Sequence, residues 1–171
     1  MLFRSDVYLG LVHRLDRPVG GVCVFARTSK AASRLSDQIR THAFQKEYLA
    51  VVENDDIADS GHLEDLLLKD DRTNMVRVDP KGKEAVLDYV VIKRKGGLAL
   101  LKIQLKTGRS HQIRVQFSSR NHPLWGDQRY NPHALPGQQI ALWSYAIEFR
   151  HPTNSEMLRF VCETDRYPFD L

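Results

Sequence analysis

Two runs of alternating side chains, Ala85 to Lys93 and Leu98 to Lys106, are separated by a turn built on Lys95-Gly96-Gly97. Alternation puts successive side chains on opposite faces of a strand, and a glycine-containing connection supplies the backbone freedom that a tight reversal needs. A hairpin of this length at the middle of a chain commits it to an antiparallel sheet. The flanking sequence extends that sheet. Gly21 to Arg27, Lys46 to Glu53, Leu63 to Leu68, Asn74 to Val78, Gln139 to Phe149 and Leu158 to Glu163 are apolar or alternating and of strand length. Asn54 to Gly61 is a polar, acidic loop, Pro80 to Lys83 a turn, and His122 to Pro136 a long ordered loop. Two segments carry a helical period. One is capped by Thr28 or Ser29 and runs to about Thr41, with Ala32, Leu35 and Ile39 on one face. The other spans Ser110 to Arg120, with Ile113 and Phe117 inward. The expectation is a single α+β domain, residues 1–171, on a largely antiparallel mixed sheet of about eight strands with flanking helices.

Charge is distributed unevenly. The net charge is only +4, yet no acidic residue occurs from Tyr89 to Gly126. That stretch carries Lys93, Arg94, Lys95, Lys102, Lys106, Arg109, Arg114 and Arg120, whereas Glu53 to Asp71 holds eight carboxylates and one lysine. If the basic stretch folds onto one face, it attracts a polyanion. No apolar run reaches membrane-spanning length, and Met1 to Asp6 lack a signal-peptide core, so a cytoplasmic protein is expected, or an organellar one read without its targeting segment. Cys23 and Cys162 read as two buried thiols in strands, and the scattered histidines form no ligand pattern, so no metal is expected.

Three segments carry candidate chemistry. His13-Arg14-Leu15-Asp16-Arg17 sets a carboxylate between two arginines, ahead of Pro18 and Gly20-Gly21. A turn leading into a strand can hold a side chain at a cleft edge, and its glycines let another backbone approach. Lys46 and Tyr48 share one strand face, and a lysine beside a tyrosine there suits a cleft wall. Thr107-Gly108-Arg109-Ser110-His111-Gln112-Ile113-Arg114 places an arginine and a serine where a strand becomes a helix.

In this order and spacing, the H-R-L-D, K-x-Y-x-A and T-G-R-x-H-Q-I-R segments resemble the RluA family of pseudouridine synthases. His122-Pro123-Leu124-Trp125-Gly126-Asp127 with Tyr130 is similar to a fourth family segment. The resemblance implies isomerisation of uridine to pseudouridine in rRNA or tRNA, with Asp16 as the catalytic aspartate. It also implies that Tyr48 stacks on the flipped base and that Arg109 pairs with Asp16. No cofactor is implied. Arg14, Arg17, Lys46, Lys106, Ser110, His111, Gln112 and Arg114 are the expected RNA contacts, in a protein expected to act as a monomer on structured RNA. Where the family has Thr-Ser-Gly after its aspartate, this chain has Val19-Gly20-Gly21, and it is expected to lack the family's N-terminal K-P-x-G segment.

These residue types fit the reaction. Breaking the N1–C1′ bond and rejoining the uracil through C5 needs neither redox chemistry nor a group donor. A charged carboxylate can attack covalently or assist electrostatically. Desolvation opposes its charge and a neighbouring guanidinium restores it, the role expected of Arg109. Extruding the base costs a few kcal/mol, and an aromatic platform returns about 1–3 kcal/mol. A catalytically impaired RNA-binding protein of the same fold is the alternative. A small-molecule hydrolase with Asp16 as nucleophile is weaker, since no base–nucleophile pattern or phosphate loop accompanies the aspartate.

Overall fold

The computed structural model describes residues 8–171, so the reading of Met1 to Asp6 lies outside the described residues. The central hairpin is present and longer than expected. β7 (Lys83–Lys95) and β8 (Leu98–Leu105) are joined by Gly96 and Gly97, both at positive φ (61° and 78°). Two consecutive residues in that region define the tight turn whose twist matches the strands it joins.

On one side β8 pairs with β4 (Gln45–Glu53), which pairs with β9 (Leu142–Arg150) and then β10 (Met157–Val161). On the other, β7 pairs with β5 (Ser60–Asp70), which pairs with β6 (Met75–Val78). All these pairings are antiparallel. The short β2 (Gly20–Gly21) completes the eight-stranded sheet by running parallel to β9. The expected strand over Gly21 to Arg27 is instead broken. β2 ends at Gly21, and β3 (Phe25–Ala26) pairs with β1 (Gly10–Leu11) in a separate two-stranded sheet. Val22, Cys23 and Val24 bridge the two. Both cysteines are free, partly exposed and outside strands, contrary to the expectation of buried strand thiols.

Both helices pack on one face of the sheet, and Phe169 and Leu171 pack on the other against Val51 and Leu100. α1 (Ser29–Arg40) has Thr28 as its N-cap and lays Leu35, with Ala32 and Ile39, against Phe44, Ile147 and Phe149. α2 (Gln112–Ser118) packs Ile113 and Phe117 against Tyr48, Ala50, Val52, Leu101 and Ile103 on the same face, since Ile147 pairs with Lys46, which shares its strand face with Tyr48 and Ala50. α2 starts two residues later than expected, because His111 takes a left-handed conformation (φ 51°). Every residue from Gln112 to Phe117 is buried. The segment 122–136 provides the outer cover: Trp125 donates to Val51 O, and Tyr130 OH accepts from Val76 N. No helix among the described residues is long and apolar enough to cross a membrane.

Candidate active site in a basic cleft

Asp16 is positioned by a turn and two glycines. Val19 N–H donates to Asp16 O at 2.8 Å, closing the turn over Pro18. Gly20 then lies over the Trp143 ring and Gly21 against the Ser144 backbone, where a Cβ would stand 2.2 Å from Ser144 O. With φ of 111°, Gly21 could not be replaced without strain. Val22 N–H donates to Ser144 O and the Ser144 hydroxyl donates to Val22 O, both at 2.9 Å. The close backbone approach expected of the glycines is therefore what docks the Asp16 loop onto β9. His13 anchors the other end: Val24 N–H donates to its Nε2 at 3.1 Å, and its ring packs on Phe44. Burial, with the nearby Lys46 charge, pushes the His13 pKa down to about 4, so this buried ring is neutral.

The guanidinium beside Asp16 belongs to Arg114, not Arg109. Arg114 Nη1 donates to Asp16 Oδ2 at 3.2 Å. Its other edge is held by Asp127, which is fully buried: Nε donates to Oδ2 at 2.8 Å and Nη2 to Oδ1 at 2.6 Å. Arg114 lies over the Tyr130 ring, 5.1 Å from its centroid. Burial works against the Arg114 cation. The hydrogen bonds and charge of Asp127, with those of Asp16, more than offset it and raise its pKa above the ordinary arginine value. Arg109 sits before the helix begins, at the exposed rim, and its Nε donates to Glu84 O at 2.7 Å. A loop residue here is aimed along β7, whereas a residue inside α2 is aimed at the Asp16 loop.

Tyr48 projects from β4 into the same cleft and is 8% exposed. Burial pushes its pKa up to about 12; the Ser144 hydroxyl opposes this, and the charge of Asp16 adds to it. The phenol therefore keeps its proton at neutral pH and can donate it in a hydrogen bond. His111 Nδ1 lies 2.7 Å from Tyr130 OH. That hydroxyl also accepts from Val76 N–H, and His111 Nε2 faces Asp16 Oδ2 at 4.0 Å. Burial lowers the His111 pKa; Asp16 opposes that, and Arg114 and Arg129 reinforce it.

The surrounding cleft has a volume of about 980 Å³. Arg14, Arg17 and Ser110 line it and are exposed, and Lys46 lines it half-buried. Lys69, Arg129 and Arg109 add positive charge, against Asp16 and Asp127. Leu15, Leu105, Ile113, Ile140 and Leu142 give it an apolar lining.

Two expected RNA contacts are engaged by the protein itself, and one of them lies outside the cleft. Lys106 follows Leu105 in the strand alternation and points away, with its Nζ on Asp88 at 3.1 Å and on Gln104 at 3.0 Å. Gln112 reaches the cleft wall, but its amide is engaged by the fold. Its Oε1 accepts from Thr107 Oγ1 at 2.8 Å and from Arg109 N–H at 3.0 Å, and its Nε2 donates to Val86 O at 3.1 Å. Nor does the acid-free stretch form one basic face. Arg94 is tied to Asp59 at 2.7 Å and Arg120 to Asp65 at 2.8 Å, so part of it neutralises the acidic stretch. The cleft's charge comes instead from five separate segments, carrying Arg14 and Arg17, Lys46, Lys69, Arg109 and Arg114, and Arg129. Asp127 carried no assigned role in the sequence, although it is the first carboxylate after the acid-free stretch and follows the Trp125-Gly126 turn.

Known proteins match this arrangement closely. A family model described as RNA pseudouridylate synthase matches residues 3–119. "Ribosomal large subunit pseudouridine synthase C" of Haemophilus influenzae is 33% identical over 168 residues, covering 92% of this chain and 52% of that protein. The protein of that name from Escherichia coli is 32% identical over 170 residues, covering 92% of this chain and 53% of its own length. An uncharacterised RNA pseudouridine synthase of Aquifex aeolicus is 34% identical over 168 residues, covering 90% of this chain and 52% of that protein. The chain thus spans about half the length of these curated relatives. Among solved structures, human RNA Pseudouridylate Synthase Domain Containing 1 superimposes with a TM-score of 0.82 at 19% identity, covering 94% of this chain and 71% of that one. The extent of the family match and the identity to these relatives place the chain in the RNA pseudouridylate synthase family, of the RluA type that its motifs resemble.

Proposed function

We propose that this chain is the catalytic part of an RNA pseudouridine synthase that isomerises a uridine in ribosomal RNA, with Asp16 as the essential carboxylate. One observation carries the proposal. Arg114, clamped from behind by buried Asp127, presents its remaining amino group to Asp16 within a basic cleft beside Tyr48. Ribosomal RNA is supported by the relatives named as large-subunit enzymes.

In this reading the target nucleotide leaves its stack and enters the cleft. Tyr48 and the apolar lining receive the uracil, and Arg14, Arg17 and Arg129 hold flanking phosphates without reading sequence. Cleavage of N1–C1′ frees the base, which turns over and bonds C1′ through C5. The proton on C5 is released and N1 takes one up, so the product is an isomer of the substrate. Asp16 serves at C1′, where positive character develops, or at the base as the covalent partner; both routes require its charge at this place. Arg114 compensates that charge inside a site that excludes water, and its two bonds to Asp127 fix the direction in which Nη1 points. Tyr48, protonated and next to Asp16, is placed to orient the carboxylate and the base by donation.

The test is pseudouridine mapping of cellular RNA from cells with and without the gene, complemented by wild type or by Asp16→Ala. One uridine should lose its modification in the deletion and regain it only with wild type. An unchanged map, or restoration by Asp16→Ala, would refute the proposal.

A further inference from the structure

Among the described residues, Lys46 is the half-buried cation of the cleft without a counter-ion; Arg14, Arg17, Arg109 and Arg129 also meet no carboxylate side chain but are exposed. Among the described residues, Lys69 reaches Asp71 at 3.1 Å, Lys102 reaches Glu47 at 3.0 Å and Lys106 reaches Asp88 at 3.1 Å. Lys46 differs. Among the described residues its ammonium meets no carboxylate and makes no hydrogen bond, and it lies over the Phe44 ring, 5.8 Å from the centroid. It is half-buried on a rigid strand, unlike Arg14 and Arg17, which are exposed to water. Burial lowers its pKa from the ordinary lysine value. Holding a partly desolvated charge without a partner is costly, and the cost is recovered when an anion arrives.

The neighbouring backbone leaves room for one. Gly108 does not adopt a left-handed conformation, so its backbone does not call for glycine. A Cβ there would stand 3.4 Å from Lys46 Nζ and meet nothing else within 4 Å. The glycine keeps a notch open beside the ammonium.

We propose that Lys46 Nζ, in the notch beside Gly108, seats one RNA phosphate: the phosphodiester adjoining the uridine received at Tyr48. This rests on the reading of the cleft as an RNA site. Lys46 and Tyr48 are two residues apart on one strand face, a separation of about 7 Å, which suits a base and the phosphate of its own nucleotide. A lysine suits this task because it binds phosphate as a compact point charge.

The experiment uses a synthetic stem-loop RNA centred on the uridine mapped for this chain. It is made with native phosphates and then with a neutral methylphosphonate at each position in turn. Wild type should lose about tenfold in affinity at one phosphate next to the target. Lys46→Met should bind the native RNA about tenfold more weakly and be indifferent, within twofold, to the methylphosphonate at that same position. Gly108→Glu, which puts a carboxylate in the notch, should show the same indifference, and Lys46→Arg should regain the sensitivity. The slope of log affinity against log salt should fall by about 0.7 in Lys46→Met, one phosphate's worth for single-stranded RNA. If Lys46→Met and Gly108→Glu feel every methylphosphonate as wild type does, the phosphate seat is refuted while the isomerase reading stands. If wild type modifies no uridine in cellular RNA, the isomerase reading falls and takes the seat with it.

Discussion

The two helices solve opposite problems. α1 has twelve residues, a side-chain cap in which Thr28 accepts from Ala31 N–H at 3.1 Å, and one fully buried residue, Leu35. Its polar positions face water. α2 has seven residues, starts from a left-handed His111 with no side-chain cap, and buries six residues in a row. Gln112, Arg114 and Gln116 are interior, and each is bonded to protein: Gln112 to Thr107 and Val86, Arg114 to Asp127 and Asp16, Gln116 to Asp65 and Ala85. Buried polar groups are costly unless satisfied. Of these partners, Asp16 and Asp127 lie in the cleft, so α2 builds the site through Arg114 while its two glutamines tie it to the sheet, and α1, with no such groups, only supports the sheet.

The strongest way to break this contrast is Arg114→Met. It strands the Asp127 carboxylate in the interior and should cost about 3–5 kcal/mol of stability as well as turnover, read by chemical denaturation and by tritium release. Lys30→Ala on exposed α1 should change stability by no more than about 0.5 kcal/mol. Next comes Leu35→Ala, which should cost about 2–5 kcal/mol while the rate at saturating RNA stays within twofold below the melting point. A large loss of rate there would give α1 a role in the site. The loop facing α2 gives a pH test. His13 is held near pKa 4 in the folded protein and reverts to about 6.5 when unfolded. The unfolded chain binds the extra proton between those values. Stability is therefore full above pH 6.5 and falls as pH drops towards 4, by at most about 3 kcal/mol. His13→Gln should flatten that slope in denaturant titrations. Apart from the Lys30→Ala control, the smallest effect is Thr28→Ala at the α1 cap, about 1 kcal/mol, seen as a lower denaturation midpoint with unchanged turnover.

Much of the frame was legible, and the misses share one cause. The hairpin, α1 and its cap, and the strands from Lys46 onward follow from alternation, helical period and turn chemistry, all local properties. The close approach at the glycines was also legible, and Asp16 and Tyr48, singled out as candidates, lie in one cleft. The guanidinium partner was misassigned because spacing alone does not tell whether Arg109, just before the helix, or Arg114, in its first turn, faces the Asp16 loop; that is set by the packing of α2 on the sheet. Asp127 was read without its role because its partner, Arg114, is fixed by packing rather than by spacing. The strand over Gly21 to Arg27 split because its first residues are captured by β9 and its last by β1. Composition describes the apolarity of that segment but not the change of sheet. Likewise, the acid-free stretch could not reveal that Arg94 and Arg120 face the acidic stretch rather than the cleft.

Arg114, not Arg109, is the guanidinium that pairs with Asp16, the carboxylate proposed to act on the uridine. The direct measurement is single-turnover tritium release from C5-labelled uridine in the mapped RNA, comparing Arg114→Lys with Arg109→Lys. Arg114→Lys loses the fork that bridges Asp127 and Asp16 and should slow release by roughly 100-fold or more, whereas Arg109→Lys should stay within about threefold of wild type. A normal rate in Arg114→Lys, with the large loss in Arg109→Lys, would contradict the account.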